Sequence, residues 1–143
     1  MSTRRKAREL ALQALYQMEI TGILAPAGPD LFWDHFAASS RAREFAERLI
    51  AGAVENREAI DALIENAAVN WKLSRMPRVD LTILRVATYE LLFCADIPMN
   101  VSIDEAIEVG KRYGSEESPT FINGVLDQVL HANVTNRSEH PEP

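Results

Sequence analysis

Val79-Asp80-Leu81-Thr82-Ile83-Leu84-Arg85-Val86-Ala87-Thr88-Tyr89-Glu90-Leu91-Leu92-Phe93-Cys94-Ala95 is the most apolar stretch of a 143-residue sequence. Leu81, Leu84, Ala87, Thr88, Leu91 and Leu92 recur at helical spacing and cover much of the girth of one helix. A helix that is apolar on most sides is a buried one, so residues 79–95 are expected to form the central helix of the fold. Pro98 closes the segment on one side. On the other, Pro77 disfavours helix at Met76, which makes residues 71–77 a connector.

The flanking segments carry helical periodicity too, and neither strand alternation nor a 20–50-residue repeat is visible. Residues 3–21 place Ala7, Leu10, Ala11, Ala14 and Met18 in one buried stripe, with Arg5, Glu9, Gln13 and Tyr16 opposite and Arg8 at the edge of that polar face. Gly22 stops this helix, and its small Ala residues let another helix approach closely. A loop follows over residues 22–29, broken by Pro26 and Pro29. Asp30 is the expected N-cap of a short second helix with Leu31, Phe32, Trp33 and Phe36. A third begins near Ser40 and carries Phe45, Leu49, Ile50 and Ala53. Asn56 is the expected cap of a fourth, with Ile60, Leu63, Ile64 and Ala67.

Beyond Pro98, Ser102-Ile103-Asp104-Glu105 reads as a capping box. The helix it opens ends at Tyr113-Gly114, where Gly suits a left-handed C-cap. Ser118-Pro119 reads as N-cap and first position of a further helix with Phe121, Val125, Leu126, Val129 and Leu130 on its face. Asn123-Gly124 interrupts that pattern. A helical Gly serves close packing, the simpler reading, or access to a surface. The sum is an all-α, compact bundle of about seven helices. One domain covers residues 1–132, and a flexible polar tail covers residues 133–143.

The composition is 47% hydrophobic with few Gly and Pro, so a real core is available. The net charge of −6 argues at first against nucleic acid. Its distribution reverses that: residues 1–8 carry Arg4, Arg5, Lys6 and Arg8 and no acid, leaving −10 on the other 135 residues. An acidic body confines any contact with a polyanion to the basic end. The same charge run is compatible with a merely solvated N-terminus. The single Cys94 forms no internal disulfide and sits in apolar surroundings, which fits a reducing cytoplasm. No signal peptide and no run of about 18 apolar residues is present, so no membrane association is expected.

Chemistry is hard to find. His35, His131 and His140 are isolated, so no metal site is expected. Cys94 has no His nearby in sequence to activate it. Asp104-Glu105 and Glu116-Glu117 sit at helix starts, where capping explains them. No Walker or dinucleotide fingerprint occurs, so neither a cofactor nor an enzyme is expected. The N-terminal helix remains. Its guanidinium groups suit phosphates, Tyr16 suits stacking on an unpaired base, and Gln13 suits reading a base edge. A basic amphipathic helix also suits a membrane surface or a partner helix. An acidic body would be repelled by anionic lipid, however, and the apolar stripe is needed for the core.

Four blocks carry a likeness from residue 4 to about 130. They are Arg4-Arg5-Lys6-Ala7-Arg8-Glu9-Leu10-Ala11-Leu12-Gln13-Ala14-Leu15-Tyr16; residues 79–91 of the central stretch; Ile97-Pro98 with Val101-Ser102-Ile103-Asp104-Glu105-Ala106-Ile107-Glu108 and Lys111-Arg112-Tyr113; and Phe121-Ile122-Asn123-Gly124-Val125-Leu126-Asp127. In order and spacing they resemble the NusB family of transcription antitermination factors. The resemblance implies a seven-helix fold in two helical subdomains. It implies binding of boxA, a short single-stranded RNA element of ribosomal RNA leaders, together with NusE, a small-subunit ribosomal protein. That complex joins RNA polymerase with other Nus factors and suppresses premature termination.

By position, the resemblance assigns RNA contacts to Arg4, Arg5 and Arg8, then to Gln13 and Tyr16, and further to Arg85, Tyr113 and Phe121. Asp80 matches an acidic position associated with NusE. Leu81 stands where some relatives have a basic residue, which implies one backbone contact fewer. Some relatives form homodimers that hide the arginine face, so a homodimer is a possible assembly. The domain also resembles the N-terminal module of an rRNA cytosine methyltransferase, but no catalytic domain follows before Pro143. The alternative to RNA binding is a helical protein–protein adaptor whose basic helix docks an acidic partner.

Overall fold

The computed structural model describes residues 2–22 and 39–138, with side chains to residue 133. Six α-helices are described: α1 (Thr3–Thr21), α2 (Ser40–Glu55), α3 (Arg57–Ala67), α4 (Arg78–Phe93), α5 (Met99–Tyr113) and α6 (Ser118–Ser138), with a 3-10 turn at Leu73–Arg75. The short helix expected around Leu31, Phe32, Trp33 and Phe36, its Asp30 cap and the loop after Gly22 lie outside the described residues.

The central stretch folds as anticipated. From Asp80 to Thr88 every residue of α4 is buried, as are Glu90 and Leu91. Two hydrophobic clusters form against it. In one, Ala7, Leu10, Ala11 and Ala14 of α1 meet Ala42, Phe45, Ala46 and Leu49 of α2, with Val86 of α4, Cys94 and Ile97. In the other, α3, α5 and α6 bring Ile60, Ile64, Val109, Ile122, Leu126 and Val129 onto Leu81, Leu84 and Leu91. The alanines of α1 and α2 let those helices sit close, while α4 serves both clusters and joins the two halves. Burying one such Leu contributes about 1.5–3 kcal/mol.

The helix ends reveal several departures from sequence expectation. Ser2 caps α1 and Ser39 caps α2 through their hydroxyls. Gly22 ends α1 at φ 74, a left-handed position open to Gly. Asn56 holds the N-cap position of α3 as expected, but its side chain makes no capping bond; its amide turns back to the Gly52 carbonyl at 2.8 Å. Ser102-Ile103-Asp104-Glu105 is no capping box, because α5 already starts at Met99, just after Pro98. Gly114 is extended, at φ −94 and ψ −165, rather than left-handed. A Cβ there would lie 2.3 Å from Ser118 Oγ, so closeness rather than φ demands Gly. Ser118 is the first residue of α6 rather than its cap. Gly124 is exposed and a Cβ on it would meet nothing within 4 Å, so close packing does not explain it. Asn133, where the polar tail was expected to begin, lies inside α6, and its amide bonds the Val129 carbonyl at 2.8 Å.

The largest departure is Arg8. Instead of edging a polar face, it is 5% exposed. Its guanidinium donates from Nε and Nη2 to the two carboxylate oxygens of Glu90, at 2.9 and 2.7 Å. Glu90, 1% exposed, also accepts from Ser102 Oγ at 2.9 Å. A carboxylate buried in an apolar helix requires such partners, since an unpaired buried charge is very unfavourable. Arg8 is drawn inward because α1 is covered by α2 on one side and by α4 and α5 on the other. Arg8→Ala should therefore destabilise the protein by about 3–5 kcal/mol, read from urea unfolding. Replacing the pair together, Arg8→Met with Glu90→Leu, should lose less than Arg8→Ala alone. An unchanged urea midpoint for Arg8→Ala would contradict this role.

Candidate nucleic-acid interface

The first turn of α1 carries the basic run. Its N-cap Ser2 accepts from the Arg5 backbone N–H at 3.1 Å. Arg4 is half exposed and its guanidinium carbon lies 4.6 Å from the centroid of Phe45. Its Nη2 is 3.8 Å from Asp96, whose other oxygen takes Arg48 at 2.8 Å. Arg5 forms a forked pair with Glu105 of α5, its Nε at 3.0 Å from Oε1. Lys6 has no ion pair among the described residues. Arg4 thus remains at the surface in an exposed pair with Asp96 and Arg5 in a half-buried fork with Glu105, whereas Arg8 is locked in the interior.

Arg5, Glu9, Gln13 and Tyr16 follow one another at helical spacing. Glu9 is nevertheless 3% exposed, because α5 covers it. It accepts from Tyr113 Oη at 3.2 Å and from Arg112 Nη1 at 3.2 Å. The Arg112 guanidinium also lies 5.5 Å from the Tyr113 ring centroid. Burial, and next the Glu9 charge, push the Tyr113 phenol upward. The structure therefore brings Arg5 and Tyr113 onto one α1–α5 seam and adds Arg112, which sequence reasoning passed over. Two basic residues close the last turn of α5, Lys111 and Arg112, and that was the available signal. Gln13 is half-buried and Tyr16 is 36% exposed farther along α1.

Three other expected residues lie apart from this seam. Arg85 is 9% exposed and donates to both oxygens of Asp61, at 2.8 and 3.0 Å. Glu19 stands 3.5 Å from it and also takes Arg57 at 3.0 Å and Arg78 at 3.2 Å. Arg5 and Glu19 are fourteen residues apart, roughly 20 Å along the helix. A cleft of about 400 Å³ opens at that far end, between Leu15, Met18, Arg57, Asp61 and Arg85. Asp80 is 3% exposed and accepts from Ser118 Oγ at 2.7 Å, so its carboxylate does not face a partner. Leu81, 1% exposed, is core and offers no surface for a backbone contact. Phe121 is half-buried and meets Trp71 edge to face, centroids 5.7 Å apart at 68°. Trp71 was read only as part of a connector.

The surface charges are tuned by their partners. The Arg5 hydrogen bond foremost holds the Glu105 carboxyl below its usual 4.5. Arg48 does the same for Asp96, usually 3.8. Burial would raise Glu19, but Arg57, Arg85 and Arg78 outweigh it and leave it lowered. Asp80 goes the other way, raised by burial against the lowering effect of Ser118. Among the described residues no group of three or more His, Cys, Asp or Glu could hold a metal ion. No described helix is long and apolar enough to cross a membrane.

Two outcomes follow from these shifts. A lowered folded pKa contributes stability above the ordinary value that is lost as pH falls through the lowered one. The thermal midpoint should thus hold from pH 7 to about 5 and drop as the pH goes below the ordinary 4.5 of Glu105 and Glu19. Glu105→Gln should shrink that drop. Asp80 favours its protonated form in the fold, so its contribution weakens as pH rises. Asp80→Asn keeps an acceptor for Ser118 and should leave the midpoint at pH 7 unchanged or raised. Ser118→Ala orphans the buried carboxylate and should cost about 1–3 kcal/mol, measured by chemical unfolding.

With this geometry in hand, the comparisons are consistent with one another. The chain matches the NusB family over residues 5–131. It is 53% identical over 130 residues to the transcription antitermination protein NusB of Trichlorobacter lovleyi, covering 90% of this chain and 91% of that protein. It superposes on T. maritima NusB with a TM-score of 0.82 and 38% identity, covering 97% of this chain and 99% of the other. It also superposes, with a TM-score of 0.79 and 26% identity, on a chain of a crystal structure of antitermination factors NusB and NusE in complex with dsRNA, covering 92% and 98%. The chain belongs to the NusB family.

Proposed function

We propose that this chain is a cytoplasmic transcription antitermination factor, with no catalytic activity, that binds boxA-type single-stranded RNA together with NusE. Bound to RNA polymerase with that partner, it helps the enzyme resist premature termination on ribosomal RNA leaders. The observation that carries this reading is the near full-length match to antitermination proteins, together with the likeness to a chain of the antitermination factors NusB and NusE in complex with dsRNA. The basic turn of α1 gives it a physical basis.

Arg4 and Arg5 are the proposed phosphate contacts, with Gln13, Tyr16, Tyr113 and Phe121 contributing base contacts. An exposed ion pair such as Arg4–Asp96 is worth about 0–1 kcal/mol, so exchanging Asp96 for a phosphate is energetically easy, whereas Glu105, 15% exposed and forked on Arg5, is given up at a greater cost. Arg8 and Arg85, both enclosed by carboxylates, are assigned to holding the scaffold. Asp80 reaches a partner only indirectly, by anchoring the first turn of α6 through Ser118.

The test is fluorescence anisotropy of a labelled boxA RNA against a scrambled strand, with and without NusE, over a range of salt. Each phosphate contact on a single strand should lower the slope of log affinity against log salt by about 0.7, so Arg4 and Arg5 together give roughly −1.4. Arg5→Ala should weaken binding and flatten the slope by about 0.7, with a fall in thermal midpoint at pH 7 similar to that of Glu105→Gln, which breaks the same pair. NusE binding without preference for boxA would favour a protein adaptor instead.

A further inference from the structure

Cations are unevenly occupied over the described surface. Arg4, Arg5, Arg8, Arg48, Arg57, Arg78, Arg85 and Arg112 all face carboxylates. Lys6, Arg41, Lys72 and Arg75 have no ion pair among the described residues, and of these Lys72 and Arg75 lie within four residues of one another and are exposed. Both sit on the short connector between α3 and α4, next to the only exposed tryptophan described. Trp71 is 50% exposed even though indole is among the most favourable groups to bury.

The ring is not on a loose strand. The Trp71 backbone N–H donates to the Ala68 carbonyl at 3.0 Å, and the Arg75 N–H donates to Lys72 at 2.9 Å. The indole also leans edge-on against Phe121 of α6. A pre-positioned aromatic with half its surface in water, flanked by two uncommitted cations, has the composition of a stacking platform for a single-stranded polyanion. A purely apolar partner would leave Lys72 and Arg75 unmatched, which favours a nucleic acid over a protein groove.

We infer that Trp71, with Lys72 and Arg75, forms a base-stacking site for single-stranded RNA beside Phe121, apart from the basic turn of α1. This rests on the RNA-binding role proposed above. Trp71 offers its ring to one unpaired base, while Lys72 and Arg75 meet the flanking phosphates. A paired duplex has its bases stacked already, so the site discriminates in favour of single strands.

The experiment titrates the full chain with NusE against labelled single-stranded boxA RNA and against a blunt duplex of the same sequence. Trp71→Ala should weaken single-strand binding roughly 5- to 150-fold, the range for losing one stacked base. It should change duplex binding little, and Trp71→Phe should restore most of the loss. Lys72→Ala with Arg75→Ala should flatten the salt slope by about 1.4, two phosphate contacts. Thermal midpoints and NusE affinity measured alongside identify a variant that misfolds or loses its partner.

Wild-type affinity for the single strand combined with an unchanged affinity in folded Trp71→Ala would overturn the stacking site alone. Loss of NusE binding in Trp71→Ala, with RNA binding by the isolated chain intact, would overturn it in favour of a protein contact. No single-strand binding by the wild type would overturn the parent reading instead.

Discussion

The buried pairing of Arg8 with Glu90 and Ser102 sets the geometry on which the surface depends. Glu90 lies on the helix shared by both hydrophobic clusters, so its charge must be neutralised from outside α4. Arg8 supplies that charge from α1 and Ser102 of α5 adds a hydrogen bond, joining three helices at one carboxylate. With Arg8 turned inward, helical spacing fixes the direction of every other α1 side chain. Ala7, Ala11 and Ala14 face α2, Glu9 meets the end of α5, and Arg4 and Arg5 are left at the rim. The buried pair is weak support for stability as such. Its consequence is orientation.

The rim is electrostatically balanced. Asp96, Glu105 and Glu9 each hold arginines near the basic end of an otherwise acidic body. These contacts keep long side chains ordered before any polyanion arrives, which reduces the rotamer entropy lost on binding. They also require a phosphate to displace a carboxylate, so binding is an exchange of partners with a modest net gain per contact. Among the described residues Lys72 and Arg75 have no carboxylate partner, so no such exchange is required there. In this account, RNA affinity is distributed between an ordered arginine rim and a connector with free charge and an exposed indole.

Much of the fold was legible. The apolar girth of residues 79–95, the alanine stripe of α1 and the start of α2 near Ser40 are strong local signals, and the structure agrees with them. The signals that misled were those with two physical uses. Ser102 and Glu105 have capping-box spacing, yet their side chains answer Glu90, Arg5 and Arg8 across the fold. Gly114 looks like a left-handed stop, but its need is space for Ser118. Asp80 looks like a surface acid at a helix start, yet Ser118 encloses it. At the site, charge counting found the basic turn but could not sort its members by depth. Glu90, set among Tyr89, Leu91 and Leu92 in the most apolar helix, was the available clue that one arginine must be structural. Arg112 and Trp71 escaped because each is placed by its neighbours on other helices rather than by its own segment.

The central claim is that the arginine run is divided by burial, with Arg8 committed to Glu90 and Arg5 exchangeable. Nuclear magnetic resonance of the guanidinium Nε–H groups tests it most directly, in the free protein and with single-stranded RNA and NusE bound. The account predicts an Arg8 signal that is protected from solvent exchange in both states and does not move on binding. It predicts an Arg5 signal that exchanges readily when free and shifts when RNA displaces Glu105. An Arg8 signal that exchanges at a solvent rate, or that shifts on RNA binding while Arg5 stays fixed, would contradict it.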